Sequence, residues 1–144
     1  MKRILATLTP FLIMALVCVG FTACSSDDDG NGGGSGTLTG SWVETRIEGW
    51  EIDSRVGKQD LTENIPAKEA CVLTFKSDGT CTEVSPSGRS TSMSGPYSYN
   101  ASNKTLTIEG GHTYTFKVET LTSTKLSLVD SGEEHYIKTI YKRK

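Results

Sequence analysis

The sequence predicts an all-β fold, a single antiparallel up-and-down barrel of eight strands. From Leu38 onward, short runs rich in Thr, Val, Ile and Tyr alternate apolar with polar residues. Gly, Asn, Asp and Ser separate these runs, and no helical period is sustained. Tight turns make consecutive strands antiparallel neighbours, and eight strands joined in that way remove their exposed edges by closing.

The first expected strand, 40–48, carries Trp42, with Val43, Thr45 and Ile47 as an apolar face. Glu44, Arg46 and Glu48 share the parity of Trp42. Either a bulge flips the strand after Trp42, which is the preferred reading, or charges point inward and must be paired. Lys138 and Lys142 of the last strand are then expected as outer partners for Glu44 and Glu48. A long connection, Gly49 to Ala70, follows.

Runs 71–76 and 80–85 form a hairpin around Ser77-Asp78-Gly79, with Leu73 and Phe75 facing inward. Run 93–100 turns at Asn100-Ala101-Ser102-Asn103 into 104–109, where Leu106 and Ile108 alternate with Thr105 and Thr107. Gly110-Gly111 leads into 112–119, which alternates Tyr114, Phe116 and Val118 with Thr113, Thr115 and Lys117. Run 125–130, with Leu126 and Leu128, turns at Asp130-Ser131-Gly132 into the last strand, 134–142. At roughly 1.5 to 3 kcal/mol per fully buried large apolar side chain, these residues support one core with little margin for a large empty cavity.

The chain has 144 residues, with 15 Lys+Arg against 17 Asp+Glu for a net charge of −2. That balance excludes a basic nucleic-acid binder, and the length excludes a multidomain enzyme. Met1-Lys2-Arg3 followed by the apolar stretch Ile4 to Ala23 reads as a secretory signal peptide, residues 1–23. A spanning helix is the alternative, but Pro10 and the small-residue site at the end favour cleavage. Removing Lys2 and Arg3 leaves 13 positive residues (15 − 2) against 17 negative, or −4.

Phe21-Thr22-Ala23-Cys24 resembles a bacterial lipobox, which implies acylation of Cys24 as the mature N-terminus. Cys18 is a poor rival because Val17 before it is branched. Ser25-Ser26-Asp27-Asp28-Asp29-Gly30 resembles the acidic export tag of Bacteroidetes lipoproteins, implying display on the outer face of the outer membrane, with a periplasm-facing anchor as the alternative. Asn31 to Gly36 is a flexible linker, so residues 24–37 form the tether and 38–144 the folded domain. An acyl anchor holds a membrane without a basic patch, at about 0.8 kcal/mol per buried CH₂.

Leu38-Thr39-Gly40-Ser41-Trp42, Leu73-Thr74-Phe75-Lys76-Ser77-Asp78-Gly79-Thr80, and Gly95-Pro96-Tyr97-Ser98-Tyr99 with Thr105-Leu106-Thr107-Ile108 together resemble the bacterial lipocalin-like (calycin-like) domain of Bacteroidetes lipoproteins. Gly40-x-Trp42 also matches the Gly-x-Trp of true lipocalins. That resemblance implies a structural Trp42 closing the narrow end of the barrel, with Arg143 packed on it as a cation–π pair.

Cys71 and Cys81 remain after processing, in a compartment that permits a bridge. On the expected hairpin they lie on the order of 10 Å apart, beyond the roughly 7 Å Cα limit for a disulfide. Two thiols are expected, with a bridge as the lesser reading. His112 and His135 fall on different strands without zinc-ligand spacing, and both read as surface residues. Glu133 and Glu134 read as a solvated turn, and there is neither a Gly-x-Ser-x-Gly elbow nor a phosphate loop. The expectation is a non-catalytic protein with no cofactor and no metal.

Two functions fit. In the first, the barrel takes a small apolar or amphipathic ligand, with Leu73, Phe75, Tyr97, Tyr99, Tyr114, Phe116 and Tyr136 as candidate lining. Trp50 and Ile52 on the long connection are then a candidate lid. In the second, the barrel is filled, and the molecule is a protein or glycan interaction module, serving envelope assembly or inhibition. Residues 49–70, with Trp50, Arg55, Lys58 and Lys68, would carry that recognition.

Overall fold

The computed structural model describes residues 36–144, so the signal peptide, Cys24 and the acidic tag lie outside the described residues. Ten strands run in order: β1 (Gly40–Asp53), β2 (Gly57–Asp60), β3 (Glu63–Asn64), β4 (Val72–Phe75), β5 (Thr80–Val84), β6 (Gly95–Asn100), β7 (Thr105–Glu109), β8 (Thr113–Leu121), β9 (Lys125–Ser131) and β10 (His135–Arg143). Consecutive strands from β4 to β10 pair antiparallel. β1 pairs β4 on one side and β10 on the other, which closes an eight-stranded barrel.

The turns follow local chemistry. Asp78 Oδ1 accepts the amide of Thr80 at 2.9 Å, and Gly79 takes φ +83°, a left-handed conformation that favours glycine. Asn100 Oδ1 accepts the amide of Ser102 at 3.0 Å, and Thr122 Oγ1 accepts that of Lys125 at 2.9 Å. Each side-chain acceptor satisfies an amide that the strands leave unpaired at the corner.

The 49–70 segment departs from the expected long loop. β1 continues through Gly49 to Asp53, and the chain returns along its edge as β2 and β3. β4, β3 and β2 thus lie end to end against one side of β1, while β10 runs along the other. The second half of β1 therefore forms a three-stranded ribbon with β2 and β10 that extends one wall of the barrel.

At the base, where β1 begins and β10 ends, the interior is solid. Trp42, Leu73, Leu106, Ile108 and Leu126 have no exposure, and Phe75, Val118 and Leu128 have 2% or less. Phe75 and Tyr97 meet edge to face, with centroids 4.9 Å apart. Trp42 Nε1 donates to the carbonyl of Leu38 at 2.8 Å, so its one polar atom is satisfied in the core. Arg143 lies over the Trp42 ring, with its guanidinium carbon 4.0 Å from the centroid. Gly40 permits this approach, because a Cβ there would collide with Arg143 Nη1.

The β1 bulge falls between Glu44 and Arg46, later than expected. Glu44 is opposite the buried Tyr141 and therefore faces inward with it, whereas Arg46 and Glu48 turn outward opposite Ile140 and Lys138. The expected outer pairing holds for Glu48, whose carboxylate lies 3.7 Å from Lys138 Nζ. It does not hold for Glu44, because Lys142 is opposite Val43.

Candidate functional site

Exposure rises along the interior from base to mouth. Above the Trp42–Leu73 layer, Glu44, Ile47, Ile137 and Thr139 are half-buried. Ile47 pairs Thr139, and Gly49 pairs Ile137, so these residues continue the inward face set by Tyr141. On that face, Ile47 and Ile137 line a hollow of about 310 Å³ whose other wall is Asp60, Leu61, Thr62 and Glu63. The turn between β2 and β3 is thus what encloses it.

The same level is acidic. Glu83 is opposite Leu73 in the β4–β5 hairpin and shares its inward face, as does Cys71 two residues before Leu73. Burial pushes the carboxyls of both Glu44 and Glu83 above the ordinary range, and for Glu44 the Glu83 and Glu63 charges add to the effect. A backbone amide donated by Cys71 to Glu44 and the hydroxyl of Thr91 to Glu83 partly offset that burial. The Tyr141 phenol is pushed well above its ordinary value, first by burial and then by these carboxylates.

The residues singled out from the sequence divide among three places. Leu73 and Phe75 are sealed in the base. Tyr97, Tyr99, Tyr114 and Phe116 face inward, half-buried and packed against that core. The Tyr114 hydroxyl lies 2.8 Å from Ser92 Oγ, and its ring stacks parallel to Phe116 at 6.2 Å. Tyr136 lies instead on the outer face, opposite Trp50. Trp50 and Ile52 are not placed as a lid: they belong to β1 and face outward in the ribbon.

Lys58 and Asp60 of β2 share that outer face, since Ile52 pairs Lys58 and Trp50 pairs Asp60. Lys58 Nζ lies 4.2 Å from the centre of the Trp50 ring. Gly49, Trp50, Lys58, Asp60, Thr62 and Tyr136 surround an open hollow of about 650 Å³. Asp60 is held below the ordinary carboxylate range by the hydroxyl and amide of Thr62.

Sequence reasoning missed Glu83, Ile137 and the Asp60–Glu63 turn. Glu83 was legible from its two-residue offset from Cys81. The turn had no such signal, because every residue of β2 and β3 is exposed.

A family model described as a lipocalin-like domain matches residues 38–128. No curated protein and no solved structure matches the chain.

Proposed function

Because the chain belongs to the lipocalin-like domain family, a ligand-binding type of fold, we propose that its barrel holds a small apolar or amphipathic molecule at the mouth while acylated Cys24 tethers it to the outer membrane. The observation that carries this reading is the hollow of about 310 Å³ between Ile47, Ile137 and the Asp60–Glu63 turn. Its volume is at the roughly 300 Å³ lower end of ligand pockets, so the ligand is small. Tyr97, Tyr99, Tyr114 and Phe116 supply further half-buried apolar surface on the inner face.

Glu44, Glu63 and Glu83 at this level disfavour a carboxylate headgroup, since like charges repel more strongly away from water. The polar end of the ligand is neutral or cationic. The chain enters the barrel at its base, where the Gly36 amide donates to the Leu121 carbonyl at 3.3 Å and Arg143 Nη2 to that of Thr37 at 2.8 Å. A tether at Cys24 would therefore reach the barrel at the end opposite its mouth.

The test is native mass spectrometry with lipid extraction on the full chain, purified gently from its host. A bound molecule of defined mass that Ile137→Asp displaces supports the carrier reading. A clean apo mass, also after incubation with an extract of host lipids, overturns it. The sealed base and the outward ribbon favour a second reading, a filled barrel acting as a protein or glycan interaction module.

A further inference from the structure

We propose that the outer face of the β2–β1–β10 ribbon is a sugar-binding platform for an uncharged oligosaccharide, with Trp50 and Tyr136 as its floor. The site lies on the opposite side of the sheet from the barrel interior. It deepens the second reading above and rests on it only in placing recognition outside the barrel.

The cross-strand row Asp60–Trp50–Tyr136 is fixed by backbone pairing on both sides of β1. Directly opposed residues in a sheet point to the same face, and both rings line one hollow. Gly49 beside Trp50 keeps β1 and β10 close, because a Cβ there would collide with the Tyr136 carbonyl oxygen. The platform is therefore built into the sheet and does not depend on a loop conformation.

Its chemistry fits a pyranose. Sugar C–H groups carry partial positive charge, which suits the negative faces of Trp and Tyr rings. Sugar hydroxyls both donate and accept. Lys58 brings donors, Asp60 an acceptor held in place by Thr62, and Tyr136 a hydroxyl that serves as either. The Lys58 and Asp60 charges cancel, so neither an anionic nor a cationic ligand is favoured by the site as a whole. The contact of Lys58 with the Trp50 ring is exposed and weak enough for a ligand to displace.

The volume supports the same class. The hollow, about 650 Å³, is open and about twice the lower end for small-molecule pockets, which leaves room for more than one ring. An apolar ligand would shield the charges of Lys58 and Asp60 from water without offering either a hydrogen bond. A flat lipid surface is disfavoured by the ionised Asp60 carboxylate within the row.

The experiment uses the full chain with neutral trisaccharides of glucose, mannose, galactose and N-acetylglucosamine, and with sialyllactose as an anionic control. Isothermal titration calorimetry reads binding in parent and variants alike, and because Trp42 is buried the parent's tryptophan emission reports Trp50 beside it. Expected is saturable binding of at least one neutral trisaccharide in preference to sialyllactose. Trp50→Ala and Tyr136→Ala should each weaken it by about tenfold or more. Unchanged unfolding midpoints for the variants separate lost binding from lost folding, and Trp50→Phe should retain part of the affinity.

The proposal is overturned if no neutral trisaccharide binds below about 10 mM, or if Trp50→Ala binds as tightly as the parent. A protein partner whose capture requires Trp50, with no response to any sugar, would overturn the sugar platform while leaving the interaction-module reading standing.

Discussion

Arg143 binds Trp42 from the far end of the chain: its guanidinium covers the indole at 4.0 Å while its nitrogens donate to three backbone carbonyls. Those carbonyls belong to Thr37, Thr39 and Ser123, at 2.8, 2.7 and 2.9 Å. One side chain thus ties the entering segment and the β8–β9 turn to the last strand, over the residue that plugs the base.

Loss of Arg143 should therefore open the base. The exposed cation–π contact contributes about 0.5 to 1 kcal/mol, and hydrogen bonds to a charged donor about 1.5 kcal/mol or more before solvent takes part of it back. Arg143→Ala should cost about 2 kcal/mol in urea denaturation. Arg143→Lys should recover only part of this, because an ammonium lacks the planar fork. Equal stability of Arg143→Ala and the parent would show that the clamp contributes nothing.

The inward carboxylates give stability a pH dependence of the less common sign. Glu83 has a folded-state pKa raised by burial, so the native state binds more protons than the unfolded chain just above pH 4.5. Stability from this group falls as pH rises from 4.5 through the raised value, and the cost is fully present above it. Glu83→Gln keeps an acceptor for Thr91 and removes the charge. It should raise the unfolding midpoint at pH 7, with the gain vanishing as pH falls to about 4.5. Asp60, Asp78 and Glu48 are shifted in the opposite direction, so the measured quantity is the difference between variant and parent across pH. A gain that grows on acidification would contradict the inward placement of Glu83.

The alternation of Leu73 with Phe75, Leu106 with Ile108 and Leu126 with Leu128 made the closed part of the barrel legible, because β4 and β7 bury one face, although β9 buries Ser127 and Val129 on its other face as well. β2 and β3 were illegible for the converse reason. Gly57-Lys58-Gln59-Asp60 and Glu63-Asn64 are exposed throughout, and backbone pairing to β1 holds them in place. The β1 bulge was anticipated, but its position was not. Moving it from just after Trp42 to between Glu44 and Arg46 leaves one charge, Glu44, inside, while Ile47 faces inward and Trp50 outward in either register. The alternation did not show that β1 continues as strand through Trp50, which makes an expected lid residue part of a sheet face.

Cys71 and Cys81 are both free thiols, and both should react slowly. Burial raises the Cys81 pKa, and the residue is 2% exposed. Burial also raises that of half-buried Cys71, with the Glu83 and Glu44 carboxylates adding to the effect. Since the thiolate is the nucleophile, iodoacetamide at pH 7 should label Cys71 slowly and Cys81 only after unfolding. Peptide mass mapping of native and denatured samples reads both positions. Rapid native labelling of Cys81 would be incompatible with its place in the base.

The proposed anchor would join the barrel at its base. Gly36 and Thr37 are bound at the base, so the flexible tether proposed from Cys24 would reach the barrel at the end opposite its mouth. Full-length protein from the host should fractionate with the outer membrane, and its N-terminal peptide should carry acyl mass on Cys24. Cys24→Ser should move it to the soluble fraction, since stable attachment depends on several buried acyl chains, while Cys18→Ser should leave it attached. Replacing Asp27, Asp28 and Asp29 by Ala should leave it lipidated but protected from protease added to intact cells, which separates anchoring from export. Membrane retention of Cys24→Ser would place the attachment elsewhere in the chain.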